Sequence, residues 1–199
     1  MPRGWLPSSR PLRADQPGAL SPGAGRIGSV RSHLVTPSPL GELTLVAEDG
    51  ALVGCLMALP DRDPSDETLG AAAEPGSADQ VLRDAASQLA EYFAGERTEF
   101  DLPLAPRGDE FQLKVWALLR EIPYGQTRSY GQLARVLGDV SLSQAVGWAN
   151  GRNPISIIVP CHRVIGADGT LVGYAGGLDR KRFLLALEEP PADEAHRLF

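Results

Sequence analysis

The feature that most constrains the fold is a change of hydrophobic period part-way along the chain. Between residues 30 and 58 the apolar residues come in short or alternating runs: Leu34-Val35, then Leu43, Leu45, Ala47 and Leu52-Val53. Pro39-Leu40-Gly41 and Asp49-Gly50 stand between them as turn signals. Alternation puts one set of side chains on one face of a strand, so this stretch predicts a small antiparallel sheet. From Val81 the spacing is helical: Val81, Leu82, Ala85, Leu89, Tyr92 and Phe93 share a face up to Gly95, a residue suited to end a helix. A stretch with two prolines at residues 100–107 looks like a connector. Helical spacing resumes with Phe111, Val115, Trp116, Leu118 and Leu119, and Ile122-Pro123-Tyr124-Gly125 ends it in a turn. This pattern predicts an α+β fold, with a small N-terminal antiparallel-sheet domain (30–101), a connector (102–108) and a mainly helical C-terminal domain (109–191).

The ends of the chain have a different character. Residues 1–29 are rich in Pro, Gly, Ser and Arg and show almost no apolar periodicity, so they cannot offset the entropy of ordering and are expected to be a disordered tail. Residues 192–199 are expected to be a second tail, and residues 61–76 an acidic loop. No run of eighteen apolar residues and no charged-then-apolar leader is present, so neither a membrane span nor export is expected, and the default compartment is cytoplasmic. The two cysteines, Cys55 and Cys161, lack zinc-ligand spacing with any histidine. Both are read as free thiols, with no metal and no cofactor.

A formal net charge of -6 argues against holding nucleic acid by bulk electrostatics. The distribution softens that objection. Residues 109–199 carry ten Lys/Arg against ten Asp/Glu, so the whole excess of negative charge lies in residues 1–108. A DNA-facing surface belongs in the second half. There, Ser129 is placed to cap a short helix from residue 130 to 137 closed by Gly138, and a second helix follows from about 141 to 149. Two short helices joined in this way read as a helix-turn-helix.

After the second helix, Asn153-Pro154 breaks the pattern, residues 155–159 form a short β-branched run read as a buried strand, and Pro160 stops it immediately before Cys161. A lone cysteine beside an apolar run is ordinarily a small buried hydrophobe. Here His162 and Arg163 follow at once, and a nearby imidazole or cation favours thiolate, the form that attacks carbon. Sequence adjacency does not by itself bring His162 to the sulfur, because consecutive side chains of an extended chain point apart. Residues 166–177 hold five glycines around Tyr174, a loop whose backbone can approach a flat ligand or serve as a plain connector. A last helix carries Lys181, Phe183, Leu184, Leu185 and Leu187 and ends near Glu188.

The stretch 111–188 resembles the O6-alkylguanine-DNA alkyltransferases, also called methylated-DNA–protein-cysteine methyltransferases. The motifs that carry the resemblance are Phe-Gln-x-x-Val-Trp, Ile-Pro-Tyr-Gly-x-Thr-x-Ser-Tyr, Ala-Val-Gly, Asn-Pro, Pro-Cys-His-Arg-Val-Ile-Gly, Gly-Tyr-x-Gly-Gly-Leu and Leu-Leu-x-Leu-Glu, in order over about 80 residues. The N-terminal half is similar to the family's variable sheet domain, best at residues 36–45.

The resemblance implies a single-turnover DNA-repair activity: irreversible transfer of a methyl or larger alkyl group from O6-alkylguanine, with O4-alkylthymine as a further lesion, to Cys161 after the nucleotide is flipped out. It implies that His162, linked to the thiol through water and oriented by Glu188, is the base; that Tyr130 crowds the DNA backbone and supplies a proton to the departing guanine; and that Asn153 braces the turn beneath the nucleophile. The backbone carbonyls of Cys161 and Val164 take the guanine amine, Tyr174 lines the alkyl pocket, Ala175 offers its N–H to O6, and Gly176 belongs to the same loop. The partner implied is alkylated double-stranded DNA, entered from the minor groove through the helix-turn-helix, with Ser129, Gln144, Ala145, Gly147, Arg152 and Arg163 on the DNA side. No membrane and no obligate protein partner are implied, and the chain is expected to act as a monomer.

Most of the family carries Arg-Ala-Val-Gly where this chain has Gln144-Ala145-Val146-Gly147, and that arginine fills the space left by the flipped nucleotide. Gln144 hydrogen-bonds but brings no charge and less planar surface, which predicts weaker extrusion. Val140, Leu142 and Ser143 are atypical too. The alternatives weighed at this point are a thiol acceptor for single-stranded nucleic acid or a small alkylating compound, and a non-repairing lesion binder, against which the presence of Cys161 argues.

Overall fold

The alternating stretch folds into three antiparallel strands, β1 (Arg31–Thr36), β2 (Leu43–Glu48) and β3 (Ala51–Met57). Asp49 and Gly50, both at positive φ (51° and 80°), make the two-residue turn between β2 and β3, the backbone that matches the twist of a hairpin. A two-residue strand, β4 (Ala71–Ala72), adds parallel to β1, so the sheet order is β3-β2-β1-β4 and the sheet is mixed at that one edge. Two residues are too few to leave a periodic signature. The computed structural model describes residues 30–58, 69–73 and 78–189. The tails expected at 1–29 and 192–199, and the greater part of the acidic loop, lie outside the described residues.

Helix α1 (Gln80–Phe93) buries Val81, Leu82, Ala85, Leu89 and Tyr92 against the sheet and stops before Gly95, at φ 76°. The other edge of the sheet, β3, is covered by two later segments. Leu52 donates its N–H to the Pro103 carbonyl (2.8 Å) and accepts from Ala105 (2.9 Å), so the connector runs alongside the strand. Cys55 donates to the Pro154 carbonyl (2.9 Å) and accepts from Ser156 (3.1 Å). Unpaired strand edges are costly to leave open, and here closing the edge joins the two halves. One apolar core results, from Leu43, Leu45 and Leu52 through Val115, Trp116 and Leu119 to Leu184.

The second half is helical. Helix α2 (Glu110–Arg120) begins at a reciprocal capping box between Asp109 and Gln112. Helix α3 (Tyr130–Val136) begins at a second box in which Ser129 is the expected cap and Gln132 its partner. Strands β5 (Arg128–Ser129) and β6 (Val164–Ile165) pair in parallel just ahead of it. Helix α4 (Ser143–Gly151) starts two residues later than the spacing predicts. The Asp139 carboxylate accepts from the Ser141 N–H (2.8 Å) and hydroxyl (2.7 Å) and winds residues Val140–Leu142 into a 3-10 turn first. Helix α5 (Leu178–Leu187) closes the described chain. Among the described residues no helix is long and apolar enough to cross a membrane.

The β-branched run 155–159 is not a strand, contrary to the expectation from its composition. It folds back on itself: Val159 N–H donates to the Ile155 carbonyl (3.0 Å), and Ile157 sits at φ 72°, a conformation that branched side chains rarely adopt. Asn153 holds the turn from inside, its amide donating to the Val159 (2.7 Å) and Ile155 (3.3 Å) carbonyls and accepting from the Ile155 N–H (3.1 Å). A side chain that replaces three ladder bonds outweighs β-propensity here.

Candidate active site

The turn delivers Cys161 at the start of a 3-10 turn, Cys161–Arg163, with its N–H on the Val159 carbonyl (2.8 Å) and the Arg163 N–H on the Pro160 carbonyl (3.0 Å). The thiol is 4% exposed. Asn150 on α4 donates to the Cys161 carbonyl (3.3 Å), so the helix of the helix-turn-helix and the nucleophile turn are tied directly.

His162 and Arg163 both turn inward to Glu188, which lies just past α5 and is 1% exposed. His162 Nε2 meets Oε1 at 2.8 Å, Arg163 donates Nε to Oε2 (2.8 Å) and Nη2 to Oε1 (2.9 Å), and the Tyr92 hydroxyl on α1 donates to Oε1 (2.7 Å). The Gly125 N–H approaches Oε2 at 3.4 Å. Burial alone would push this carboxyl up, but the hydrogen bonds and charges of His162 and Arg163 outweigh it and hold Glu188 at about 2. Burial lowers His162, with Glu188 pulling the other way. Against a carboxylate, which can only accept, Nε2 is the ring nitrogen of His162 that carries a proton. Its other nitrogen, Nδ1, is buried and has no partner among the described residues, which makes it an available acceptor.

The Cys161 thiol is raised by burial, and the groups that draw it back down are Asn153 and Lys181. The Arg163 charge, expected to favour thiolate, is spent on Glu188. Arg163 is only 6% exposed, and its remaining donor, Nη1, is on the Ile122 carbonyl (2.6 Å). That burial corrects its assignment to the DNA side: it positions Glu188 from inside the fold.

Lys181 was legible only as a helix residue, yet it is fully buried and donates from Nζ to the carbonyls of Val164 (2.6 Å) and Val172 (2.8 Å). Burial lowers it and Cys161 raises it. Lys181, Leu184 and Glu188 are spaced at three and four residues, on the buried stripe of α5, and that spacing is the signal that marks both charged groups. Tyr92 carried no such signal, because its pattern is that of a core residue. The Cys161 carbonyl accepts from the Asn150 amide and from the Val164 N–H, and the Val164 carbonyl accepts from Lys181 Nζ.

The glycine-rich loop brings Tyr174 within electrostatic reach of the thiol. Tyr174 is half-buried with its hydroxyl without a partner among the described residues, and burial followed by the charges of Cys161 and Cys55 raises it. A Cβ on Gly176 would stand 2.6 Å from Met57 Sδ and 2.9 Å from the Tyr174 ring, so a larger residue here makes those side chains shift. Ala175 is exposed beside it. Tyr130, raised by burial and by Cys161, donates to the Val172 carbonyl (3.2 Å) and lays its ring against Gly147, whose absent Cβ would come within 3.6 Å of it. Ala145 is half-buried, and Gln144 and Arg152 are exposed on the outer face of α4. Cys55 is buried, unpaired and pushed up to about 12 by burial.

A buried thiol, an imidazole backed by a carboxylate and a glycine-rich loop suit nucleophilic attack on a small electrophile. A family model described as the 6-O-methylguanine DNA methyltransferase DNA binding domain matches residues 110–190, and one described as the ribonuclease-like domain of the same proteins matches residues 33–106. The methylated-DNA–protein-cysteine methyltransferase of Mycolicibacterium paratuberculosis is 50% identical over 162 residues, 81% of this chain and 94% of its own. The crystal structure of Mycobacterium tuberculosis O6-methylguanine methyltransferase is similar at a TM-score of 0.72 and 47% identity, covering 84% of this chain and 99% of that one. The structure of Mycobacterium tuberculosis OGT in complex with DNA is similar at 0.72 and 49%, covering 79% and 92%.

Proposed function

The chain belongs to the 6-O-methylguanine DNA methyltransferases, proteins whose function is DNA repair by transfer of an alkyl group to a protein cysteine, and on that premise we propose that Cys161 is the acceptor and Glu188 the anchor of its activation. The observation that carries the reading is the directed chain of polar groups: Glu188 accepts a hydrogen bond from His162 Nε2–H, leaving the unpartnered Nδ1 as the base. The thiol proton passes to Nδ1 through a bridging water, and the imidazolium so formed faces a carboxylate that stays ionised. Sulfur attacks the alkyl carbon, the carbon–O6 bond breaks, and its electron pair leaves on guanine.

Guanine leaves with a proton supplied by Tyr130, and the proton held by the His162 imidazolium returns to the Tyr130 phenolate through water, so the net exchange is thiol hydrogen for alkyl group. The product is a thioether, and none of these groups hydrolyses one, so each molecule acts once. An O6-alkyl group inside a duplex is out of reach of a buried sulfur, so the base has to be extruded. The Cys161 and Val164 carbonyls receive its exocyclic amine, the Ala175 N–H meets O6, and Tyr174 bounds the alkyl group. Helix α4 enters the minor groove with Gln144, Ala145 and Gly147 leading, flanked by Ser129 and Arg152. The protein works as a single chain in a reducing compartment, the cytoplasm, where a free thiol reagent survives.

Intact-mass measurement after incubation with O6-methylguanine duplex tests the reading. The wild type gains one methyl in place of the thiol hydrogen, and Cys161→Ala gains nothing. An equal gain in Cys161→Ala moves the acceptor elsewhere.

A further inference from the structure

Helix α4 carries a second departure from what a soluble helix needs. Trp148 is 49% exposed and is the bulkiest of the exposed apolar side chains among the described residues. The chain treats its other described tryptophan as core: Trp116 is 2% exposed, and its Nε1 donates to the Ala149 carbonyl (2.9 Å). Trp148 lies one turn after Gln144 and one turn before Arg152, on a single outward stripe. The Arg152 guanidinium sits 3.6 Å from the centroid of its ring, close enough to restrain the indole in one orientation and to place a positive charge beside it. Val140, 50% exposed, lies in the 3-10 turn that leads into the helix, and Gly147, the residue before Trp148, faces the Tyr130 ring.

We propose that Trp148, held by Arg152, is the residue this chain stacks against DNA bases when α4 enters the duplex, supplying the planar surface that Gln144 lacks. The proposal rests on the reading of α4 as the DNA-entering helix. An indole offers a π-face that any base accepts, and apolar side chains that enter the minor groove work as wedges between base steps. A guanidinium on the ring's other face is free to meet a phosphate with its edge, so the pair combines stacking with neutralisation of one charge. The indole projects into solvent from the face of α4 opposite the core, so the fold does not call for its size. DNA is the occupant because the family model that spans α4 is a DNA binding domain, and because this half of the chain is free of the acidic excess of the first.

Fluorescence and affinity test it in the full chain with Trp5→Phe as background, so that emission comes from buried Trp116 and exposed Trp148. Stacking against bases quenches indole emission, so adding an O6-methylguanine duplex is expected to quench the Trp148 contribution, and Trp148→Ala removes that quench. Trp148→Ala weakens duplex binding about tenfold, and Trp148→Phe recovers most of it. Thermal melting of both variants is expected to match the parent. Unquenched emission on a duplex that the parent demonstrably binds overturns the proposal, as does duplex affinity unchanged in Trp148→Ala. Weakened binding that tracks a lowered melting temperature overturns it too, because the role is then structural. A parent chain that does not bind duplex breaks the underlying reading of α4, and that outcome is seen without any Trp148 variant.

Discussion

The buried network around Glu188 and the outer face of α4 are built on opposite plans. Around Glu188, charges are buried and paired with short bonds drawn from α1, the 3-10 turn at Cys161 and the end of α5. On α4, Gln144, Trp148 and Arg152 are exposed, and the Arg152 guanidinium lies over the Trp148 ring. A buried ion network leaves little room for substitution, because removing one partner strands another in low dielectric. A solvated stripe has no such penalty. That difference predicts that substitution is tolerated on the outer face of α4 and costly around Glu188.

The sharpest way to break the contrast is Glu188→Gln. It leaves Arg163 buried without a countercharge and His162 without its orienting carboxylate. Stability is expected to fall by about 3–5 kcal/mol and alkyl transfer to slow by at least about a hundredfold, measured by melting and by single-turnover transfer from methylated duplex. Stability near that of the wild type would mean that the network is not the anchor described here.

The same carboxyl sets an acid limit. Its folded-state value of about 2 lies below the ordinary 4.5, so its contribution is complete above pH 4.5, declines below that and is lost as pH falls through about 2. Acid unfolding of the wild type should show this dependence across that window, and Glu188→Gln should lack it.

Tyr92→Phe sharpens the comparison from the sheet side. It removes one donor from Oε1 while the others remain, which is expected to cost about 1.5–3 kcal/mol and to slow transfer less than Glu188→Gln does. An unchanged melting temperature would detach the N-terminal half from the site.

The smallest effect is expected on α4. Gln144→Arg adds one charge to the solvated stripe and should tighten duplex binding several-fold, with a salt dependence steeper by about one ion. Titration at two salt concentrations checks it. Equal binding and equal salt slope would show that position 144 does not approach the phosphates or the opened base step.

What the sequence by itself determined is local. The change of hydrophobic period separated sheet from helices, Ser129 and Gly138 bracketed α3, Asp49-Gly50 marked the hairpin, and the family's motifs singled out Cys161, His162 and Glu188. Such signals act within about four residues, the reach of a cap, a turn or a helical repeat. Only the tertiary structure decided the rest. Asn153 turned an apparent strand into a folded loop with Ile157 at positive φ, and Arg163 went inward to Glu188 rather than outward to DNA. Tyr92, 96 residues from Glu188, became its partner because α1 packs beside the end of α5. Those outcomes depend on which chain segments share a core and on how much burial costs an unpaired charge, quantities that residue spacing does not carry.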